Sequence, residues 1–212
     1  MGKMEVTSRT LGMLYTNTYF LVNTETKEAI VVDPADSASY IVRQFELRGL
    51  KCVAIILTHG HFDHIYGAEP LRKLTGAPIY AYEGEKNLLS DSYLNRSKVW
   101  ADEVTVKPDK WFKDGEEVTL AGLKFKVLHT PGHSEGSCCY YFEEEKILIA
   151  GDTLFRESFG RTDLSTGSMD ELVHSLKEII FKLPPETIVF PGHDSFTTIE
   201  HELKYNPIAK AY

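Results

Sequence analysis

The sequence predicts an α/β fold, with short apolar strands alternating with amphipathic helices along 212 residues. Three observations point there. Residues 53–57 (Val-Ala-Ile-Ile-Leu) form a continuous apolar run of strand length, the pattern of a strand covered on both faces. Residues 38–48 place Ala38, Ile41, Val42 and Phe45 on one helical face. The second half repeats a rhythm of apolar strand followed by glycine-containing loop, from Leu123 to Pro191.

The elements follow in order. Residues 18–23 and 29–33 read as an N-terminal hairpin. The helix over 38–48 is expected to use Asp36 or Ser37 as its cap and to stop at Gly49. After the strand over 53–57 comes a histidine-rich segment. A helix starting near Pro70 follows, because proline is tolerated in a first turn, and Gly76 ends it. Residues 78–81 form another short strand. Residues 83–115 are polar and aromatic with weak periodicity, and no clear element is expected there. Strands are expected over 117–120, 123–128, 137–142 and 146–150. Ser168-Met169-Asp170-Glu171 is a capping box. It opens a helix whose apolar face is Met169, Leu172, Val173, Leu176, Ile180 and Leu183, ended by Pro184-Pro185. A last strand covers 187–191 and a last helix 198–205. No linker, low-complexity tract or long repeat interrupts the pattern, so residues 1–212 read as one domain.

Composition excludes several function classes. The net charge of −8 argues against a nucleic-acid partner, which would need clustered Lys and Arg. The apolar runs are too short to span a bilayer, so no membrane partner is expected. Residues 1–9 are polar with no apolar signal core, which points to a cytoplasmic protein. The three cysteines, Cys52, Cys138 and Cys139, make a poor disulfide set. Adjacent cysteines in a strand point to opposite faces and read as small buried hydrophobes in a reducing compartment.

The chemistry lies in the loops. Five of the eight histidines fall in three segments: Thr58-His59-Gly60-His61-Phe62-Asp63-His64, Thr130-Pro131-Gly132-His133 and Pro191-Gly192-His193. Each segment follows an apolar strand, and a fourth strand ends in Gly151-Asp152. Strand ends on a packed scaffold are rigid mounts for ligands. Imidazole nitrogens and carboxylate oxygens suit zinc, iron or manganese. Five histidines with Asp63 and Asp152 exceed the ligands that one tetrahedral ion needs, so two divalent ions are expected, zinc first and iron or manganese as alternatives.

Together these segments resemble the metallo-β-lactamase superfamily. Asp33-Pro34 and Gly76-Ala77-Pro78-Ile79-Tyr80 extend the likeness over nearly the whole chain. Gly151-Asp152-Thr153-Leu154-Phe155 and Gly160-Arg161-Thr162-Asp163-Leu164 resemble the glyoxalase II-like hydrolases, and the tail around Thr197-Thr198-Ile199 and Asn206-Pro207 resembles their short form. The resemblance implies a four-layer αββα sandwich with the metals at one edge. It implies that His59, His61 and His133 hold one ion, that Asp63, His64 and His193 hold the other, and that Asp152 bridges them. Asp33 would orient a ligand histidine. Asp63 and Asp152 would also orient the nucleophile, and Arg161 would meet the carboxylate of a thiol cofactor.

The implied reaction is hydrolysis of a small-molecule thioester by water made acidic on the metal, with its pKa lowered towards about 7. S-lactoylglutathione or a similar ester of a low-molecular-weight thiol is the expected substrate. The carrier thiol stays open, because Ser195 stands where glyoxalase II usually has tyrosine. The alternative is a mononuclear iron persulfide dioxygenase of the same fold, using His59, His133 and Asp152. The ligand residues alone do not separate the two.

Overall fold

A computed structural model describes residues 4–210. Two six-stranded sheets face each other. The first takes its strands in chain order: β1 (Met4–Leu11), β2 (Thr16–Asn23), β3 (Glu28–Val32), β4 (Lys51–Leu57), β5 (Ile79–Tyr82) and β6 (Lys110–Phe112). Its first three strands are antiparallel and β3 to β6 are parallel. Parallel neighbours need crossovers. These are supplied by α1 (Ala38–Arg48), by α2 (Phe62–Ile65) with α3 (Ala68–Thr75), and by α4 (Lys86–Ser90) with α5 (Ser97–Trp100).

The second sheet contains β7 (Glu117–Leu120), β8 (Leu123–His129), β9 (Cys138–Phe142) and β10 (Ile147–Gly151). A small ribbon, β11 (Leu154–Phe155) and β12 (Ser158–Phe159), and helix α6 (Met169–His174) precede β13 (Ile188–Pro191) and β14 (Thr197–Thr198). The spatial order is β14-β13-β10-β9-β8-β7, with β10 and β13 parallel. Helices α7 (Ile199–Tyr205) and α8 (Pro207–Lys210) close the described chain.

Strand alternation divides the interior into three apolar layers. Along β2, Tyr19 and Leu21 face the second sheet, where they join Phe125, Tyr140 and Phe142. Phe20 and Val22 face the other way, against Ile41, Phe45 and Leu71 of α1 and α3. On β9 the adjacent cysteines split as expected: Cys138 enters the inter-sheet layer, and Cys139 packs towards Leu172, Leu176 and Ile199. Three cores between four layers make the αββα sandwich that the resemblance implied. Among the described residues, no helix is long and apolar enough to cross a membrane.

The structure departs from the sequence reading in several places. The hairpin expected over 18–23 and 29–33 forms as β2 and β3, but β1, which pairs ahead of it with β2, has no counterpart in the prediction. It is an edge strand with mostly exposed or half-buried residues, so its sequence lacks the apolar alternation that marks a half-buried strand. Ser37 occupies the N-cap of α1 but in a left-handed conformation (φ 51°), and neither its hydroxyl nor any other side chain caps the helix. Asp36 accepts the Ser37 N–H instead. Gly49 and Gly76 end α1 and α3 in left-handed conformations, as expected. Helix α3 starts at Ala68, two residues before Pro70.

Half of the capping box at Ser168 forms: the hydroxyl accepts from Glu171 N–H at 3.3 Å, while the Ser168 N–H donates to the Gly132 carbonyl at 2.8 Å. The long helix expected after it is broken into α6, a wide π turn over Ser175–Ile179 and a tight turn over Ile180–Lys182. Leu172, Leu176 and Ile180 still reach the core, while Met169 is exposed. Met169 is the first residue of the helix, ahead of the break, and its side chain stays at the exposed helix start.

Candidate metal centre

Four strands of this scaffold, β4, β8, β10 and β13, end at one edge of the sandwich, and each delivers its loop there. The segment after β4 turns at once into α2, so His61, Asp63 and His64 follow closely on His59. His59, His61, His64 and His133 are all at most 4% exposed. Donor atoms of His59, His61 and His133 lie within 4.8 Å of one another, and so do those of Asp63, His64 and His193. Asp152 joins the two groups. Its Oδ1 is 3.3 Å from His64 Nε2, and its Oδ2 is 3.5 Å from both His133 Nε2 and His193 Nε2. His193 Nε2 is also 3.3 Å from Asp63 Oδ2. All seven residues expected to ligate are therefore brought together.

Hydrogen bonds outside the cluster aim the rings into it. Asp33 Oδ2 accepts from His64 Nδ1 at 2.9 Å and from Thr58 Oγ at 2.6 Å, while its Oδ1 accepts the Thr58 N–H at 2.8 Å. With its own proton given to Asp33, Thr58 Oγ accepts from His59 Nδ1 at 3.1 Å. The Arg161 carbonyl accepts from His133 Nδ1 at 2.8 Å. These contacts leave Nε2 of His59, His64 and His133 facing inward, the arrangement that metal-binding histidines adopt. Asp33 holds its place with φ 47°, a left-handed conformation that aspartate tolerates better than most residues.

The charge states divide the cluster. Burial, with His133 alongside, holds His61 down to about 3, and burial likewise lowers His59 and His133. Burial also disfavours charge on His64, but Asp152, Asp63 and Asp33 outweigh it and raise that pKa. His193 is opposed by burial too, yet hydrogen bonds to Asp152 and Asp63 push it up to about 9. One histidine group is thus neutral and ready to ligate, while the other is matched to two carboxylates.

Do these residues fit metal ions? His59 Nε2, His64 Nε2 and Asp152 Oδ1 are buried and make no hydrogen bond. An unsatisfied buried polar atom costs about 1–3 kcal/mol, and three within one cluster of borderline-to-hard donors are the signature of a cation site. The donor set fits two divalent ions, with His59, His61 and His133 on one side, Asp63, His64 and His193 on the other, and Asp152 between.

Other expected residues stand apart. The Arg161 guanidinium pairs with Asp163 at 2.7 and 2.8 Å and is largely exposed, so its carbonyl, not its charge, touches the cluster. His129 stacks on Tyr82 and bonds the Glu135 carbonyl, and His201 pairs with Glu157. Two contributors were not legible in the sequence. Thr16 on β2 donates to Asp63 Oδ2 at 2.8 Å. Glu85, between β5 and α4, is buried against the loops of His59 and His133. Neither carries a motif; both matter through neighbours distant in sequence.

Burial raises the Glu85 carboxyl from its ordinary 4.5 to about 7 against the opposing hydrogen bonds of Ser134 and Gly60. The fold therefore favours the protonated form. Its contribution is complete below about pH 4.5 and is lost as pH rises through about 7. In urea titrations of chelator-treated protein, Glu85→Gln is expected to remove on the order of 2–3 kcal/mol of the stability loss between those limits. An unchanged pH profile would count against it.

A buried cluster of His and Asp at the edge of an αββα sandwich defines a metallo-hydrolase class. A family model described as the metallo-beta-lactamase superfamily matches residues 11–193, and the chain belongs to that superfamily. It is 35% identical over 204 residues to "Probable metallo-hydrolase YqgX" of Bacillus subtilis, covering 95% of this chain and 96% of the relative. It is 32% identical over 190 residues to "Hydroxyacylglutathione hydrolase GloC" of Haemophilus influenzae, covering 88% and 90%. Among solved structures it is similar to the BLEG-1 B3 metallo-beta-lactamase, with TM-score 0.92, 38% identity and coverage of 98% and 100%. It is also similar to TTHA1623 in a di-iron-bound form (TM-score 0.85, 36% identity, coverage 95% and 98%) and to ETHE1 from Myxococcus xanthus (TM-score 0.78, 30% identity, coverage 97% and 85%).

Proposed function

We propose that this metallo-hydrolase cleaves thioesters of a low-molecular-weight thiol, in the manner of glyoxalase II. The observation that carries this reading is the pair of donor groups sharing Asp152 beside an open cavity. That cavity has a volume of about 190 Å³ and is lined by Gly12, Met13, Ala35, Asp36, Phe62, Asp63, Tyr66 and Ala101. Two divalent ions, zinc or else iron or manganese, would polarise the carbonyl and acidify water there. The chain's own part is to hold and orient. Asp63 and Asp152 fix the donor geometry around the nucleophile, Thr16 steadies Asp63, and Asp33 steadies His64.

A thiolate leaving group, with a free-thiol pKa of about 8.5, departs without a strong general acid. That matches a cluster with no lysine among its donors. The cavity lining contains acids and no basic residue, which suits an uncharged acyl group; a carboxylate would meet Asp36. Arg161 is exposed on the loop whose carbonyl bonds His133, and exchanging Asp163 for a substrate carboxylate would let it read the thiol carrier. The substrate is a small molecule in the cytoplasm.

Similarity to the hydroxyacylglutathione hydrolase supports this reading. Metal quantitation followed by a thioester panel tests it. Two ions per chain are expected, with hydrolysis of S-lactoylglutathione or a related thioester that chelation abolishes. If all the thioesters stay inert with zinc, iron and manganese, the reading fails. The likeness to ETHE1 is compatible with one other reading, a mononuclear iron persulfide dioxygenase. One iron per chain with persulfide-dependent oxygen uptake would establish that reading instead.

A further inference from the structure

The buried carboxylate of Glu85 has no part in the ligand set, yet it connects two of the ligand loops. Its Oε1 accepts the Gly60 N–H at 2.8 Å and the Ser134 hydroxyl at 2.8 Å. Gly60 lies between His59 and His61, and Ser134 directly follows His133. One oxygen atom thus joins the backbone between two ligands of a donor group to the residue beside the third. In that group His61 Nδ1 and His133 Nε2 stand 2.8 Å apart, and rings from separate loops need a rigid connection to stay in register.

The surroundings of Glu85 are shaped to keep it there. It is 1% exposed, at the head of α4, whose Leu88 and Leu89 pack at 3.2 Å from where a Gly60 side chain would begin. On the other side, a Cβ at Gly136 would overlap Glu85 Oε2 and the Glu85 backbone, so the carboxylate occupies the space a side chain would fill. Ser134 is held in turn by Ser137 Oγ at 2.7 Å. Burying this carboxyl, whose Oε2 lies against the Gly136 backbone, carries a desolvation cost that an apolar side chain would not. A merely space-filling role gives no reason to retain that cost, whereas a connection between the two loops does.

We propose that Glu85 is a positioning residue of the metal centre, tying the Gly60 and Ser134 loops so that His59, His61 and His133 converge on one ion. This rests on the metal-binding part of the functional reading and not on the thioester substrate.

The test is titration of the full-length chain with cobalt(II), following ligand-field bands and measuring affinity by chelator competition. Glu85→Met keeps the volume and removes the acceptor. It is expected to weaken one of two cobalt sites about 10–100-fold and shift its bands, leaving the second site near wild type. Glu85→Gln keeps an acceptor oxygen and is expected to restore both within a few-fold. Ser134→Ala removes one of the two connections without touching Glu85. It is expected to give a smaller shift of the same sign, and it carries the test if Glu85→Met does not fold. Wild-type affinity and bands in Glu85→Met would overturn the proposal, as would equal loss at both sites or failure of Gln to restore. In a Ser134→Ala chain, an unmoved cobalt titration would do the same. If wild-type protein binds two cobalt ions and the variants behave as stated, but no thioester is cleaved, the substrate reading falls and Glu85 keeps its role.

Discussion

Asp152→Ala is expected to leave a folded chain that retains at most one metal ion and loses about 10³-fold or more in turnover. Asp152 is the residue whose two oxygens face both donor groups. Removing it separates the groups and leaves His64, which is 0% exposed, with one fewer carboxylate. Charge stabilisation at a metal is worth several kcal/mol, and about 4 kcal/mol corresponds to a thousandfold in rate. Metal analysis of the purified variant, run beside activity, checks both parts. Two tightly held ions in Asp152→Ala would contradict the bridging position.

Gly192→Ala is the second large effect expected, from a residue that ligates nothing. A Cβ at this position would overlap Asp152 Oδ1 and stand 2.7 Å from His64 Cε1, both parts of the donor cluster. The backbone there cannot easily withdraw. Gly192 N–H donates to Gly151 O at 2.7 Å, and Gly192 O accepts the Asn17 N–H at 2.7 Å. Asn17 Nδ2 and Tyr19 OH hold the adjoining Pro191 carbonyl as well, at 3.2 and 2.6 Å. The side chains must therefore move, and they are the ligands. Metal affinity is expected to fall about 10–100-fold, against a fold penalty of about 1–3 kcal/mol for overpacking. Competition with a chelator measures the first and urea denaturation the second. A variant that loses stability but binds metal normally would show that Asp152 is free to shift.

The part of the centre that was legible in the sequence is the part that metal chemistry fixes by residue type. His59, His61, Asp63 and His64 sit within six residues, and an ion accepts few substitutes for them. The strand before each loop was legible too, because residues 53–57 are apolar throughout. What escaped notice acts through distant neighbours. Thr16 and Glu85 are ordinary residues in a hairpin and in a weakly periodic stretch; their partners, Asp63 on one hand and Gly60 with Ser134 on the other, are 47, 25 and 49 positions away. The edge strand β1 was hidden because exposure on both faces erases the alternation that reveals strands. Arg161 has a contact that its motif did not show: its backbone carbonyl accepts from His133 Nδ1.

The two sheets contribute unequally to one centre. The first supplies four of the seven donor residues from a single loop, and the second supplies His133, Asp152 and His193 from three. Ions seated there cross-link the two halves of the sandwich without a covalent bond. Ligand that binds only the folded chain stabilises it by RT ln(1 + [L]/Kd), about 4 kcal/mol at a thousandfold excess over Kd. A difference of that size changes how often the halves part and how often a protease finds them open. Metal supply is thereby expected to set how long the folded chain survives a protease, which digestion with and without chelator would measure.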